Sequence, residues 1–341
     1  MSGLRIGLHL SVQARQGERH EDAVKTALDD VRLAERVGLS SALFAEHHFI
    51  EDGWVPQALT LAAAAAAVTE RIRVGSNITI LPLQHPVAVA EQAVLVDLVS
   101  GGRAVLGVGV GWRPEDFAGF GAPFERRFTV FTESLKVLRA LLAGETLSFE
   151  GSLYSAADAR LRLTPVQDGG PPLWVGATGP QGIRRAARLA DAWILSPQVR
   201  VAELAEGRKL YEEARAEAGL PPAVDVPLRR EAFVAESDDE AWHRFADGLR
   251  HQYGHVYGSR HPDFPKGGSL EELRAWAKDL FVVGSVETVA EEFLSLRERL
   301  DATEILVRPR LPGVDPAQAR ASIELFGEVA AKVAGVEAVA R

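Results

Sequence analysis

The amino-acid sequence predicts an α/β fold, with residues 1–341 forming a single domain built as an eight-stranded parallel β/α (TIM) barrel with insertions. Apolar runs bounded by turn residues alternate with amphipathic stretches of helical period along nearly the whole chain, which is typical of parallel β/α units. Eight such units can be counted, the number that closes a β/α barrel. The hydrophobic fraction of 47% suits one large core.

The predicted strands and helices account for most of the chain. The strands are residues 4–10, 41–45, 72–81, 103–108, 172–176, 192–195, 226–235 and 303–307. The clearest helices are residues 23–37, 87–99, 128–143, 182–190, 201–218 and 317–331, and the alanine-rich run 61–68 predicts a further buried helix. An open doubly wound sheet is the competing arrangement, and the count of eight units favours the barrel.

Two segments do not fit the repeat. Residues 146–163 contain LSFEGSLY, which predicts a hairpin insertion that turns at Glu150 and Gly151. Residues 251–268, HQYGHVYGSRHPDFPKGG, form a long loop rich in glycine, proline, histidine and aromatic residues. Such a loop on the active face of a barrel is either a mobile lid or an ordinary surface excursion, and the sequence leaves both open.

Composition and charge exclude several classes of function. The net charge is -9 and no basic run stands out, so nucleic acids and anionic membranes are poor partners. The chain has no cysteine, which excludes disulfides, thiol nucleophiles and thiolate metal sites. The opening MSGLRIGLHLSV lacks the pattern of a secretion signal, and no apolar run is long enough to cross a bilayer, so we expect a cytoplasmic protein.

The stretch FAEHHF follows the second predicted strand, at the face where barrel enzymes hold their catalytic groups. Because side chains alternate along an extended chain, His47 points to one side while Glu46 and His48 point to the other. Adjacent histidines do not chelate one metal well, and the chain contains no His-Glu-x-x-His motif, so we expect no metal site. The alternative to a functional role is one packed histidine and one surface histidine.

Two glycine-rich stretches follow later strands. GVGVGW, residues 107–112, fails as a dinucleotide fingerprint because Trp112 stands where a third glycine is needed, and the following RPEDFAGFG lacks the pattern of an opening helix. Its small residues either let a flat ring approach the backbone or relieve crowding. VGATGPQGIRRAARLADAW, residues 175–193, joins a strand end to a glycine-rich loop and a helix start. This geometry predicts a phosphate site with Thr178 as a hydroxyl donor, or alternatively only a capping loop.

Taken in order, these stretches resemble the bacterial luciferase-like flavin-dependent monooxygenases. The resemblance rests on FAEHHF, RVGSNITILPLQHPVAVAEQAVLVDLVSGGRAVLGVGVGWRPEDF, FGAPFERRFTVFTESLKVLRALL and FVVGSVETVAEEFLSLRE, and it spans roughly residues 4–330. It implies the same barrel, in which reduced FMN traps dioxygen as a peroxide (a peroxyflavin) that oxidises an aldehyde, ketone, hydrocarbon or similar small substrate. It also implies a separate flavin reductase and favours a homodimer that packs through the helices beside the second and third strands.

The resemblance assigns the residues around the flavin ring. It implies that His47 is the acid/base group beside the flavin. It places the ring near Ser76 and Asn77, the third-strand pair where the family often has a cis peptide. It also places the reactive carbon of the flavin near Gly109, where luciferase has a cysteine and this chain leaves space.

The resemblance also assigns the phosphate. Val110 replaces an arginine that in luciferase reaches the flavin phosphate. This replacement leaves the phosphate to the loop after the fifth strand, with Arg127 or Arg185 as helpers. The loop residues expected to bind the cofactor are Gly176, Thr178, Gly179, Gln181 and Gly182.

The sequence indicates the substrate and the coenzyme less clearly than it indicates the residues that bind the cofactor. Aromatic residues that would line an apolar substrate cavity are Phe49, Trp54 and Trp112, with Tyr253 and Tyr257 as further candidates, and ordinary packing is the alternative for each. One alternative function is a deazaflavin coenzyme-dependent oxidoreductase that transfers hydride, which GVGVGW and RRAARLADAW suit equally well. Another is a non-catalytic flavin-binding subunit. The EHHF stretch favours FMN, and the retained His47 argues against a non-catalytic role.

Overall fold

The computed structural model describes residues 3–14 and 17–335. Its strands, in chain order, are β1 (Arg5–Leu10), β2 (Ser41–Phe44), β3 (Arg73–Ile80), β4 (Ala104–Gly109), β5 (Leu147–Glu150), β6 (Ser155–Ala159), β7 (Leu173–Gly176), β8 (Ala192–Ile194), β9 (Pro227–Val234), β10 (Phe281–Gly284) and β11 (Glu304–Val307). Its helices are α1 (His20–Arg36), α2 (Ala58–Ala67), α3 (Pro86–Ser100), α4 (Pro114–Phe120), α5 (Arg127–Leu142), α6 (Pro180–Leu189), α7 (Val201–Glu217), α8 (Asp238–His251), α9 (Leu270–Ala277), α10 (Val286–Leu300) and α11 (Pro316–Ala334).

The parallel α/β class predicted from the sequence is confirmed. Each of the eight predicted strands is present, displaced by at most one residue at either end. The predicted number is wrong, because in the described part of the chain a ninth parallel strand, β10, pairs with β9. The run FVVG that forms β10 is only four residues long and carries a weak strand signal by itself.

The chain divides into two compact units. The first unit comprises Met1–Ser41, Leu195–Glu206 and Val226–Arg341, and the second comprises Ala42–Ile194 and Gly207–Asp225.

The second unit contains parallel strands in the order β2, β3, β4, β7, β8. β4 is buried along its whole length and pairs in parallel with β3 on one side and β7 on the other. The register of β3 against β4 shifts between Ser76 and Thr79. α3 begins at Pro86 and ends at Ser100, and the following Gly101, with a φ of 66°, provides the left-handed cap that glycine favours.

The hairpin predicted within residues 146–163 is confirmed in the second unit. β5 and β6 are antiparallel, and Glu150 pairs with Ser155. Gly151 opens the turn, and its N–H donates to the carbonyl oxygen of Tyr154 at 2.9 Å. The Tyr154 hydroxyl in turn donates to the carbonyl oxygen of Pro82 at 3.0 Å, which ties the hairpin to the segment after β3.

The first unit contains parallel strands in the order β10, β9, β11, β1. β9 is buried along all eight residues and changes partner midway. Its first half, from Pro227 to Arg230, pairs with β11, and its second half, from Glu231 to Val234, pairs with β10. The charged residues in the middle of β9 therefore lie in the interior.

The segment 251–268 is more ordered than the irregular loop expected from its composition. Gln252–Val256 forms a π-helical turn directly after α8. The tyrosines considered as cavity lining are buried, and the Tyr253 ring packs against Trp276 and Phe281 with centroids 5.8 Å and 4.7 Å apart. The interpretation of this segment as a mobile lid stays a prediction.

Within residues 3–14 and 17–335, no helix has both the length and the apolar character needed to cross a membrane.

Candidate active site

Glu46 joins the end of β2 to its neighbours. Its side chain is buried, and Oε1 accepts a hydrogen bond from the backbone N–H of Ile80 at 2.9 Å. Oε2 accepts from the N–H of Ala58 at 3.3 Å, and His48 Nε2 lies 3.5 Å from Oε1. The carboxylate thus holds the end of β2 against the end of β3 and the start of α2.

His47 occupies a buried position beside two tryptophans. Its backbone N–H donates to the carbonyl oxygen of Val55 at 3.0 Å. The imidazole meets Trp54 edge-on, with ring centroids 4.7 Å apart and planes at 88°, and it meets Trp112 at 6.0 Å and 84°. The structure therefore brings together three residues predicted for the site, His47, Trp54 and Trp112.

A carboxylate that the sequence analysis did not identify faces this imidazole. Asp116 is 1% exposed, and its Oδ2 lies 3.5 Å from His47 Nδ1. Its Oδ1 accepts a hydrogen bond from Arg113 Nη1 at 2.9 Å, and the same nitrogen donates to the carbonyl oxygen of His48 at 2.9 Å. A carboxylate at one ring nitrogen orients an imidazole and stabilises its protonated form. Nε2 is the ring nitrogen on the side away from the carboxylate.

Asp116 lies in a helix that the sequence analysis excluded. The interpretation of RPEDFAGFG as lacking an opening helix is wrong, because α4 begins at Pro114. Proline at the first helical position, followed by Glu115 and Asp116 in the first turn, is a helix-start pattern. That pattern is the signal that would have located the helix.

The residues expected at the flavin ring lie on β3 and β4. Ser76 is fully buried, and its hydroxyl donates to the carbonyl oxygen of Gly107 at 2.7 Å, so this hydroxyl is used within the sheet. Asn77 is also buried. The cis peptide bond expected at the Ser76–Asn77 pair is found one bond later, between Asn77 and Ile78.

Ile78 fills the space next to Gly109. A β-carbon at Gly109 would lie 2.6 Å from Ile78 Cδ1, and one at Gly176 would lie 3.3 Å from Ile78 Cγ2. The expectation that the absence of a cysteine leaves space at position 109 is therefore wrong, because the isoleucine occupies it. Ile78 is partly exposed and presents an apolar surface between the two glycines.

The predicted phosphate loop connects β7 to α6. Thr178, Gly179 and Gln181 are exposed, and Gly179 adopts a φ of 74° immediately before Pro180, the first residue of α6. No side chain caps this helix start. Trp193 supports the loop, since its Nε1 donates to the carbonyl oxygen of Ala177 at 3.0 Å. An uncapped helix start directs N–H groups and a partial positive charge outwards, as a phosphate requires.

Gly182 lies in the first turn of α6, where a β-carbon would come 3.2 Å from the Ala177 side chain.

Of the two arginines considered as phosphate helpers, Arg127 makes its contacts with Phe124. Its guanidinium lies 3.7 Å from the centroid of the Phe124 ring and donates to the carbonyl oxygen of Phe124 at 2.9 Å. Arg185 lies in α6 itself, and partial burial lowers the pKa of its guanidinium. Of the two arginines, Arg185 is the one in the helix that starts at this loop, and its role as a helper stays a prediction.

Phe49 does not join the aromatic group around His47. Its φ is 54°, and its side chain is 63% exposed. The ring lies against α4, where it contacts Gly119 and lies 5.9 Å from the Phe120 ring. The positive φ turns the chain after His48, so the alternation that would carry Phe49 back towards the site is broken.

Among the residues that the structure describes, no group of three or more histidines and carboxylates is arranged to hold a metal ion.

The sequence model of the luciferase-like monooxygenase family matches residues 4–303. The chain belongs to the luciferase-like monooxygenase family. The match includes every residue of the site described above, from Glu46 to Arg185.

Relatives of this luciferase-like protein are monooxygenases and other oxidoreductases. It is 31% identical to 4-hydroxyprotoasukamycin monooxygenase of Streptomyces nodosus subsp. asukaensis, over 91% of this chain and 88% of the relative. It is 35% identical to the F420-dependent glucose-6-phosphate dehydrogenase of Beutenbergia cavernae, over 60% of this chain and 59% of that enzyme. The oxygenating constituent of 3,6-diketocamphane monooxygenase from Pseudomonas putida, solved in complex with FMN, shares the fold with a TM-score of 0.78 at 23% identity, over 98% of this chain and 99% of that chain.

Proposed function

We propose that this luciferase-like protein is a flavin-dependent monooxygenase that uses reduced FMN and dioxygen to oxidise a small organic substrate. The observation that carries the proposal is the position of His47, a buried imidazole beside Trp54 and Trp112 that faces Asp116. A proton-transfer group among apolar rings suits chemistry from which water is excluded. The 31% identity to a monooxygenase over most of the chain supports oxygen chemistry.

The residues of the second unit fit FMN at two points. The uncapped start of α6, with Gly179 in a positive φ, suits the phosphate. The glycines of β4 and β7, with the apolar surface of Ile78 between them, suit a flat ring. The residues that would hold the cofactor are Ser76, Asn77, Gly109, Gly176, Thr178, Gly179, Gln181 and Gly182, with Arg185 as a helper. When bound, reduced FMN supplies the electrons that activate dioxygen.

His47 would transfer a proton at Nε2, and the Asp116 carboxylate, 3.5 Å from Nδ1, would stabilise the protonated ring by its charge. Arg113 fixes the carboxylate in turn, because it donates to Asp116 Oδ1. Trp54 and Trp112 keep water away from the imidazole and would form one wall of an apolar substrate cavity. Phe49 has no comparable contact with His47, since its ring lies against Gly119 of α4 and is largely exposed.

A second candidate is hydride transfer with a reduced deazaflavin. It is supported by the 35% identity to an F420-dependent dehydrogenase over 60% of the chain. Both coenzymes carry a phosphate and a flat tricyclic ring, so the α6 start and the glycines of β4 and β7 suit either. The two coenzymes can therefore be distinguished only by comparing how tightly the protein binds each of them.

We further propose a separate flavin reductase as a partner, because the solved relative is itself an oxygenating constituent and because Trp112 breaks the dinucleotide fingerprint.

The proposed homodimer is supported by α3, which exposes Leu95, Leu98 and Val99 at 48%, 38% and 52%. Apolar side chains grouped in this way are typical of interfaces. Sedimentation equilibrium should give twice the mass of the chain, and a monomer at micromolar concentration would contradict the dimer.

Anaerobic titration with photoreduced FMN and with reduced F420 tests the cofactor. We expect reduced FMN to bind about tenfold tighter or more, a difference of about 1.4 kcal/mol. Gly182→Asp places a negative charge at the start of α6 and should weaken FMN, while riboflavin, which lacks the phosphate, should bind as before. Tighter binding of F420, or equal loss of FMN and riboflavin, would contradict the proposal.

A further inference from the structure

Phe49, which follows the candidate acid/base residue His47 by two positions, combines two unfavourable features. Its φ is 54°, a left-handed conformation that is rare for a bulky side chain, and the side chain is 63% exposed. Backbone strain of this kind persists only where surrounding contacts hold it, and it is concentrated at functional sites. The contacts of the Phe49 ring therefore indicate what this conformation is for.

The ring of Phe49 lies on Gly119, in the last turn of α4. A β-carbon at Gly119 would lie 2.1 Å from Phe49 Cε2 and 2.5 Å from Cζ, so position 119 admits no side chain while the ring stays in place. Glycine is a poor helix former, and α4 has only seven residues. An unfavourable residue in a short helix and an unfavourable φ after β2 thus meet in one contact.

Two further contacts join α4 to the residue between His47 and Phe49. The Phe120 ring meets the His48 ring edge-on, with centroids 4.6 Å apart and planes at 68°. Arg113, the residue before α4, donates to the carbonyl oxygen of His48 at 2.9 Å. The helix is therefore held against residues 48 and 49 near both of its ends.

The contacting positions of α4 share a face with Asp116. Gly119 and Phe120 follow Asp116 by three and four residues, a spacing that places side chains on one face of a helix. Asp116 Oδ2 lies 3.5 Å from His47 Nδ1. Because the attraction between a carboxylate and a protonated imidazole weakens with distance, a small displacement of α4 away from the end of β2 would reduce it.

We propose that Phe49 and Gly119 are positioning residues for the pair of His47 and Asp116. The Phe49 ring, lying on Gly119, holds α4 where the Asp116 carboxylate acts on the imidazole. This inference rests on the proposed role of His47 in proton transfer, and it assigns Phe49 a function other than lining the substrate cavity. All four residues lie in the second unit.

The charges near the imidazole fix the direction of the expected effect. Asp116 faces the ring from α4, whereas Arg113 binds the other oxygen of that carboxylate and Glu115 is 66% exposed. Glu46 accepts hydrogen bonds from backbone N–H groups of β3 and α2 and lies 3.5 Å from His48 Nε2. When the Asp116 carboxylate moves away, the protonated imidazole loses stabilisation, so the ring should titrate at lower pH.

An NMR titration of the flavin-free protein, labelled with nitrogen-15 in its histidines, tests the proposal. The signal that is absent from His47→Gln identifies His47. In Asp116→Asn, the reference, the midpoint of the His47 titration should fall by about 0.5 pH unit or more. Phe49→Asn removes the ring and keeps a residue that tolerates positive φ, and Gly119→Ala places a methyl group where the ring lies. Each should lower the midpoint by about half as much or more.

The same titration in combined variants separates positioning from general loosening. Because Phe49 and Gly119 act through Asp116, neither substitution should lower the midpoint further in the Asp116→Asn background. Alanine favours the helix, so a shift in Gly119→Ala does not come from unfolding of α4. Leu163→Asn, which removes another exposed apolar side chain of the second unit, is the control and should titrate as the wild type does.

Midpoints equal to that of the wild type in both Phe49→Asn and Gly119→Ala would overturn the proposal. Shifts of undiminished size in the Asp116→Asn background would also overturn it, because the two residues would then not act through that carboxylate. The titration needs neither flavin nor turnover. It therefore decides the positioning role separately from the monooxygenase reaction, whose failure would appear only in product analysis.

Discussion

His47 Nδ1 lies 3.5 Å from Asp116 Oδ2, so the candidate acid/base residue after β2 is backed by a buried carboxylate from the first turn of α4. Arg113 holds that carboxylate from its other oxygen and also donates to the chain at His48. The carboxylate thus comes from a helix that begins at Pro114, a few residues after the end of β4, the strand expected under the flavin ring. This contact is the basis of the proposed role of Asp116 in proton transfer by His47.

Replacing Asp116 by Asn keeps the shape of the side chain and removes its charge. We expect kcat to fall by a factor of about ten to a hundred while reduced FMN still binds. The acid limb of the pH–rate profile should move to lower pH, because the protonated imidazole loses its neighbouring negative charge. Glu115→Gln, at the adjacent position with a 66% exposed side chain, is the control. Equal pH profiles for wild type and Asp116→Asn would show that Asp116 is only structural.

The contact between Gly109 and Ile78 can be tested by a double-mutant cycle. In Gly109→Ala the new methyl group would meet Ile78 Cδ1, and we expect reduced FMN to bind about tenfold more weakly as the isoleucine moves. Ile78→Val removes that Cδ1 and should restore part of the affinity, with a coupling of about 1 kcal/mol. Gly267→Ala, where a β-carbon meets nothing within 4 Å, is the control. Strictly additive effects would contradict a direct contact.

Most strands could be predicted from the sequence because they are apolar runs between turn residues, as in 104–109 and 173–176. β10 is as short as the predicted strands β2, β7 and β11, but it follows the irregular segment 251–268 and the short helix α9, so it lies outside the regular repeat of strand and helix. α4 is a short helix of seven residues that contains a glycine, so its helical period is weak, although Pro114 marks its start.

The residues of the candidate site that could be predicted are those that directly follow a predicted strand. His47 and Trp54 follow the same strand, and Trp112 follows β4 within the same unit. Asp116 could not be anticipated, because an acid in the first turn of a helix is usually solvated and this one is buried. Phe49 was expected in the cavity only as an aromatic residue near His47, and the sequence does not reveal the φ of 54° with which its ring lies against Gly119 of α4.

Glu46→Gln should destabilise the protein without direct involvement in proton transfer. Glutamine retains one acceptor oxygen, so the N–H of either Ile80 or Ala58 loses its buried partner. We expect the free energy of unfolding to fall by about 1 to 3 kcal/mol in urea titrations. Glu51→Gln, at an exposed position nearby, should change it by less than about 0.5 kcal/mol. An unchanged midpoint in Glu46→Gln would show that these hydrogen bonds contribute little.

Acidification should loosen the segment 251–268 through His261. Burial lowers the pKa of His261 below its ordinary 6.5, and its ring packs against Tyr253 and Trp276 at 5.3 Å and 5.5 Å. Because the unfolded chain takes up this proton first, the stability contributed by the neutral ring is present above about pH 6.5 and is lost as the pH falls through the lower folded value.

Hydrogen exchange of the segment 251–268 measures this effect. In the wild type, the protection of these backbone amides from exchange should decrease as the pH falls from about 7 to about 5. His261→Gln should remove most of this dependence on pH. His243→Gln, at an exposed position in α8, should leave it intact. Protection that falls equally in all three proteins would assign the effect to another group.

Turnover under isotopically labelled dioxygen tests the central claim most directly. The protein is supplied with FMN, a separate flavin reductase, its nicotinamide and a panel of aldehydes, cyclic ketones and hydrocarbons, and the products are analysed by mass spectrometry. We expect one labelled oxygen atom in a product, and a loss of about a hundredfold or more in that product for His47→Gln with reduced FMN still bound. Turnover with reduced F420 that needs no dioxygen, or full product formation by His47→Gln, would contradict the claim.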